Sequence, residues 1–114
     1  MTGEHWVLPA ELRELADSGE KGIVEEVLTV FQSDTAERIA AMRAAGNRGE
    51  RDELRKQGHA LKGSSGQVGA TALAVLCRSL EMTAATAGEP ELAEIVERID
   101  REFQQVARQM QAAG

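Results

Sequence analysis

Apolar residues recur at intervals of three and four along almost the whole chain, and this spacing limits the possible folds more than any other feature. Residues three and four apart lie on the same face of an α-helix, so each run predicts an amphipathic helix with one buried side. The composition agrees, because aromatic residues, which favour strands, make up only 3% of the chain. We therefore expect an all-α protein.

Four breaks containing glycine, proline or short polar residues divide this pattern into five helices. They are Asp17-Ser18-Gly19, Gly46-Asn47-Arg48-Gly49, Gly69 and Gly88-Glu89-Pro90. A short first helix follows Pro9. The second, third and fifth helices are predicted over about residues 21–45, 50–68 and 90–111, and the fourth lies between Gly69 and Gly88. Long amphipathic helices with short connections predict an antiparallel up-down-up-down four-helix bundle, which the short first helix caps at one end.

Length and charge narrow the class of protein. The 114 residues suit one domain over residues 1–114, and the net charge of −6 argues against nucleic acid as a partner, because phosphate binding needs a basic face. No segment approaches the roughly 20 apolar residues of a membrane span, and no signal peptide precedes the first helix. A single cysteine, Cys77, fits a reducing compartment. We expect a cytoplasmic monomer that does not bind membranes, with Cys77 in the core.

The segment 58–69 places three glycines inside the third predicted helix, Gly58, Gly63 and Gly66. Together they give up on the order of 2 kcal/mol of helix stability, which another role should offset. At 100° per residue, one face is predicted to be buried. It carries Leu54, Gly58, Leu61, Ser65 and Val68. His59 lies about 140° from the centre of that face and is expected to point to solvent.

Basic residues surround this histidine in the sequence. No Asp or Glu occurs over residues 54–80, which carry +4 and leave −10 for the remainder (−6 minus +4). The four cations are Arg55, Lys56, Lys62 and Arg78. Neighbouring cations disfavour a protonated imidazole, so a ring nitrogen should stay available as a nucleophile, and the same cations can pair with a phosphate added to it. Spacing alone is also typical of an exposed histidine on a solvated basic face.

The heptapeptide His59-Ala60-Leu61-Lys62-Gly63-Ser64-Ser65 resembles the H-x-L-K-G-[ST]-[AS] signature of histidine phosphotransfer (Hpt) domains. The resemblance covers about residues 20–110. Its other parts are an F-x-x-D stretch at Phe31 and Asp34, Leu54, and a G-x-x-x-L-x-x-x-C-x-x-L-E pattern from Gly69 to Glu81. The chain departs from the family at Gly58, where alanine is usual and where glycine should loosen the helix, and at Glu50, where aspartate is common.

The resemblance implies a phosphorelay intermediate that accepts a phosphoryl group from the phospho-aspartate of one receiver domain and passes it to another. It implies a carrier rather than an enzyme, without ATP-binding or kinase activity, whose partners are response-regulator receiver domains or a hybrid histidine kinase. It implies no cofactor or metal of its own, since the receiver supplies Mg²⁺, and no carboxylate is expected near the histidine. The implied site is His59 as phosphoacceptor and Lys62 as phosphate partner, supported by Arg55, Gly63, Gly66 and Gln67.

Two other functions fit a helical bundle with an exposed histidine. In the dimerisation region of a sensor kinase, an acidic residue typically follows the histidine and a proline comes soon after. Here Ala60 follows His59, and the next proline is Pro90. The second alternative is an adaptor that binds a receiver or a histidine kinase without carrying phosphate.

Overall fold

The computed structural model describes residues 5–113, and these form five α-helices and one short π-helical segment, Ala16–Glu20, without a strand. The helices are α1 (Ala10–Leu15), α2 (Lys21–Arg48), α3 (Arg51–Gln67), α4 (Thr71–Thr83) and α5 (Glu89–Ala113). α3 packs between α2 and α4, and α5 closes the bundle against α2 and α4. The predicted all-α four-helix bundle with a short N-terminal helix is confirmed. Residues 1–4 and 114 of the predicted domain lie outside the described residues.

Glycines in the left-handed region end two of the helices. Gly49, at φ 68°, follows the last residue of α2, and Gly69, at φ 75°, turns the chain from α3 into α4. The predicted break at Gly69 is confirmed, and Gly19, at φ 97°, marks the predicted break before α2. The predicted end of the second helix at Gly46 is wrong, because α2 continues to Arg48. One glycine costs a helix only about 1 kcal/mol, so the helix ends where a positive φ is required.

Buried apolar side chains from all four long helices form one core. Met42, Leu61, Leu73, Leu80 and Ile99 have no accessible surface. Every residue of the face predicted to be buried on the third helix is buried in the structure. Because that face is fixed in the core, the opposite side of α3 must face outward.

α3 and α4 approach each other closely at Gly58. A Cβ atom added there would lie 3.1 Å from the Cys77 carbonyl oxygen and 3.3 Å from the Glu81 backbone nitrogen. α3 runs through this position without interruption, so Gly58 permits close packing rather than loosening the helix. Cys77 itself lies in the core as predicted, and burial raises the pKa of its thiol to about 12.

The segment before α1 lies across the end of the bundle where α3 meets α4. The Trp6 indole Nε1 donates a hydrogen bond to the Val68 carbonyl oxygen at 2.8 Å, and the Trp6 backbone nitrogen bonds to the Gln109 side chain. Pro9 lies against Gly69, where a side chain on the glycine would collide with the proline ring. These contacts fix the turn that follows the glycine-rich part of α3.

None of the helices formed by residues 5–113 combines the length and the apolar character needed to cross a membrane.

Candidate functional site

His59 lies near the middle of α3, between buried Gly58 and buried Leu61, with 66% of its side chain exposed. Lys62 follows one turn later on the same side of the helix and is 36% exposed. The helix thus presents the imidazole to solvent while its own buried face holds the backbone in place. This placement is the one that the helical spacing predicts.

A carboxylate from the neighbouring helix bridges the histidine and the lysine. Glu81, on α4, places Oε2 at 2.8 Å from His59 Nδ1, and its Oε1 accepts a hydrogen bond from Lys62 Nζ at 2.7 Å. The expectation that no carboxylate lies near the histidine is therefore wrong. The close approach of α3 and α4 at Gly58 brings Glu81 beside a residue 22 positions earlier in the chain.

Glu81 is ionised at neutral pH. The hydrogen bond from Lys62, followed by the bond with His59, lowers the pKa of its carboxyl group below the ordinary value for glutamate. An ionised carboxylate can only accept hydrogen bonds, so Nδ1 must be the nitrogen that carries the proton. In a neutral imidazole with Nδ1 protonated, the lone pair is on Nε2, at the opposite edge of the ring. The geometry therefore leaves Nε2 as the ring nitrogen with an available lone pair.

The cations next to His59 on α3 are paired within the domain. Asp52 accepts hydrogen bonds from Arg55 Nη2 at 3.0 Å and Nε at 3.1 Å, and it lies 3.4 Å from Lys56 Nζ. Together with the contact between Lys62 and Glu81, these pairs neutralise much of the positive charge that the sequence places around His59. Residues 54–80 contain no acidic side chain, but Asp52 and Glu81 reach these cations from just outside that segment.

Gly63 and Gly66 face open space. A Cβ atom added at either position would meet nothing within 4 Å, in contrast to Gly58. The fold of the domain itself therefore does not require glycine at these positions. The absence of side chains leaves the backbone of α3 open beside His59, where a partner could approach closely.

A shallow groove of about 440 Å³ runs between α2 and the C-terminal part of α3. We call it the α2–α3 groove. Its α3 side includes Gln67, and its α2 side includes three exposed apolar residues, Ile23, Val27 and Val30. Sequence reasoning missed this apolar strip, although its spacing of four and three residues was visible beside the buried stripe of α2. Exposed valine and isoleucine at helical spacing were the available signal.

The family model for the Hpt domain matches residues 26–109. The structure is similar to the crystal structure of histidine-containing phosphotransfer protein B (HptB) from Pseudomonas aeruginosa PAO1. The two share 26% sequence identity with a TM-score of 0.81, and the match covers 93% of this chain and 92% of that chain. A comparison with curated protein sequences gives no match.

The family model covers most of the chain, and the similarity of the whole bundle to HptB agrees with it. Hpt proteins are phosphotransfer carriers rather than kinases, and they interact with receiver domains and histidine kinases. The chain therefore belongs to the Hpt domain family of histidine phosphotransfer proteins, which act in two-component signalling.

Proposed function

We propose that this protein is a phosphorelay carrier whose phosphoacceptor is Nε2 of His59. The observation that supports this most directly is the exposed imidazole with Nδ1 bonded to ionised Glu81, which directs the lone pair of Nε2 outward. In the proposed reaction, Nε2 attacks the phosphorus atom of a receiver's phospho-aspartate. The bond from phosphorus to the aspartate oxygen breaks, and its electron pair remains on the aspartate carboxylate. Transfer to a second receiver is the reverse of this step.

Lys62 is proposed to stabilise the phosphoryl group. It lies three residues after His59, the spacing at which helical side chains meet, and Glu81 holds its ammonium group at the ring. A phosphoryl group on Nε2 offers this ammonium a second anionic partner, and charge-assisted hydrogen bonds are about twice as strong as neutral ones. Arg55 should contribute less, because Asp52 already binds its guanidinium group.

The receiver is proposed to dock over His59 and along the α2–α3 groove. Gly63 and Gly66 leave space beside the imidazole, and Gln67 continues the same surface toward the exposed valines of α2. A docked receiver would exclude water from the contact between Lys62 and the phosphoryl group, which strengthens it. Within residues 5–113, no three metal-ligating side chains lie close enough to hold a metal ion. We propose that Mg²⁺ is supplied by the receiver.

The test uses the two histidines of the chain as a matched pair. His59→Gln should abolish labelling by a phosphorylated receiver, while His5→Gln should leave it unchanged, and both variants should keep the helical circular-dichroism spectrum. The label should be acid-labile and base-stable, as expected for a phosphoramidate. Labelling that persists in His59→Gln would refute the assignment. A wild-type protein that binds the receiver but takes no label would instead indicate an adaptor.

A further inference from the structure

We propose that Glu81 also makes the phosphorylated histidine short-lived and quick to donate, by holding a proton on Nδ1 while Nε2 carries the phosphoryl group. This inference rests on the proposed function and concerns the regulation of the same site. It starts from the position of Glu81, which contacts the edge of the ring that is not phosphorylated. The carboxylate can therefore stay in contact with Nδ1 before, during and after transfer.

The contact is built into the fold. Glu81 is only 20% exposed, and its second oxygen is held by Lys62. Gly58 lets the backbone of α3 approach the Glu81 backbone nitrogen, so the separation of α3 and α4 is set by main-chain packing beside the contact. Glu81 contacts Nδ1 rather than Nε2, and Gly63, one turn further along α3, carries no side chain that would crowd a phosphoryl group on that side of the helix.

The proton on Nδ1 determines how easily the phosphorus–nitrogen bond breaks. When Nδ1 is protonated, the phosphorylated ring is cationic. The aspartate of a receiver attacks the phosphorus atom, the electron pair of the phosphorus–nitrogen bond returns to Nε2, and the ring leaves as neutral imidazole. When Nδ1 has lost its proton, the same step would expel an imidazolate anion, a far poorer leaving group. A carboxylate that accepts a hydrogen bond from Nδ1 favours the protonated, reactive form.

The other charges around the ring do not cancel this effect. Lys62, on α3, opposes a cationic ring, but the phosphoryl group itself is anionic and offsets the lysine. Arg55 and Lys56 are both paired with Asp52. On α2, which packs along α3, Asp34 and Arg38 pair with each other at 2.8 Å. Among the described residues, Glu81 is the acidic group that contacts the imidazole directly.

The decisive variant is Glu81→Gln, which keeps the shape of the side chain and removes its charge. The amide oxygen is a weaker acceptor, and the amide NH₂ can donate to an unprotonated Nδ1, which favours the unreactive form. The domain is phosphorylated with phosphoramidate, and loss of the phosphoryl group is followed from about pH 4 to about pH 9. Because the negative charge of a neighbouring carboxylate favours the protonated ring, the variant should lose phosphate about tenfold more slowly near pH 8.

The two pH profiles should converge at about pH 4, because acid protonates the phosphorylated ring in both proteins. Transfer to a Mg²⁺-loaded receiver should slow by a similar factor. Glu97→Gln, which changes a glutamate on α5 far from this histidine in the bundle, serves as the matched control and should follow the wild-type profile. Thermal melting of the same samples identifies any loss of folding.

Superimposed wild-type and Glu81→Gln profiles, or faster loss in the variant, would overturn this inference. A wild-type domain that accepts no phosphoryl group at all would instead contradict the proposed function. ³¹P NMR supplies a second readout, because the shift distinguishes the two ring nitrogens. The wild type should give Nε2-phosphohistidine, and a merely structural role of Glu81 would leave both the nitrogen and the pH profile unchanged in the variant.

Discussion

Two ionic networks join neighbouring helices of this bundle, and they are built in opposite ways. At α3 and α4, one carboxylate, Glu81, is shared by His59 and Lys62. At α2 and α5, one cation, Arg43, is shared by two carboxylates. Its guanidinium group donates to both oxygens of Glu97 at 3.0 and 3.1 Å and to Asp100 Oδ2 at 2.7 Å.

The two networks differ in whether every hydrogen-bond acceptor of the shared contact is bonded within the domain. The fork of Arg43 matches the carboxylate geometry, and its hydrogen bonds to Glu97 and Asp100 raise the pKa of the guanidinium group, so its charge never changes. The network at His59 binds only the Nδ1 edge of the imidazole, and within residues 5–113 the Nε2 edge has no partner. We infer that an ionic network serves function where it orients a reactive atom and leaves it unbound. A saturated network only joins helices.

Of the variants that test this comparison, Lys62→Ala should have the largest effect, and the effect should be on phosphoryl transfer. Lys62→Ala should slow transfer to a receiver by about tenfold, equivalent to roughly 1.4 kcal/mol, because the ammonium group acts on the phosphoryl group once the receiver excludes water. Loss of phosphate from the isolated domain should change much less, since exposed ion pairs are screened. Arg55→Ala is the matched control and should change both rates less. A normal transfer rate in Lys62→Ala would make the lysine a surface charge only.

A smaller effect distinguishes the two kinds of glycine beside the first network. Gly63→Ala should raise the free energy of unfolding by about 0.5–1 kcal/mol, because its Cβ meets open space and alanine favours the helix. Gly58→Ala should raise the free energy of unfolding by less, or lower it, because its Cβ would lie within 3.3 Å of two backbone atoms on α4. Chemical denaturation measures both.

The same glycine variants can be titrated with a receiver. Gly63→Leu should weaken receiver binding without loss of stability. Equal gains in stability for Gly58→Ala and Gly63→Ala would contradict the close packing of α3 against α4. Unchanged receiver binding by Gly63→Leu would show that Gly63 is not part of the docking surface.

The smallest effect is expected at the saturated network. Arg43→Gln should lower the melting temperature by a few degrees at most and leave transfer unchanged, because exposed ion pairs contribute little. Hydrogen bonds from Arg43 lower the pKa of Glu97. Burial raises the pKa of Asp100, but the hydrogen bonds from Arg43 and Gln104, together with the charge of Arg43, lower it by more. A carboxyl group whose pKa is lower in the folded state stabilises the fold at any pH above its unfolded-state pKa. This stabilisation is lost as the pH falls through the folded-state pKa. The difference between wild type and variant should therefore disappear in acid.

Features set by local helical spacing could be predicted from the sequence, whereas contacts set by the packing of helices could not. The buried face of α3 and the exposure of His59 follow from helical periodicity, which is a local property. The continuation of α2 through Gly46 was missed because a glycine lowers helix stability only slightly and tertiary packing decides the outcome. Glu81 was missed as a neighbour of His59 because helical spacing relates only residues three or four apart. That contact depends on how α4 packs against α3.

The buried thiol of Cys77 has a practical consequence for the interface between α3 and α4. Its pKa of about 12 leaves almost no thiolate at neutral pH, and the side chain has no accessible surface. A thiol reagent can therefore reach the sulfur only in molecules where these helices have separated. The rate of its modification counts those openings. Modification of Cys77 therefore reports how often α3 and α4, the helices that hold Glu81 against His59, move apart, and it needs no introduced cysteine because the chain has its own.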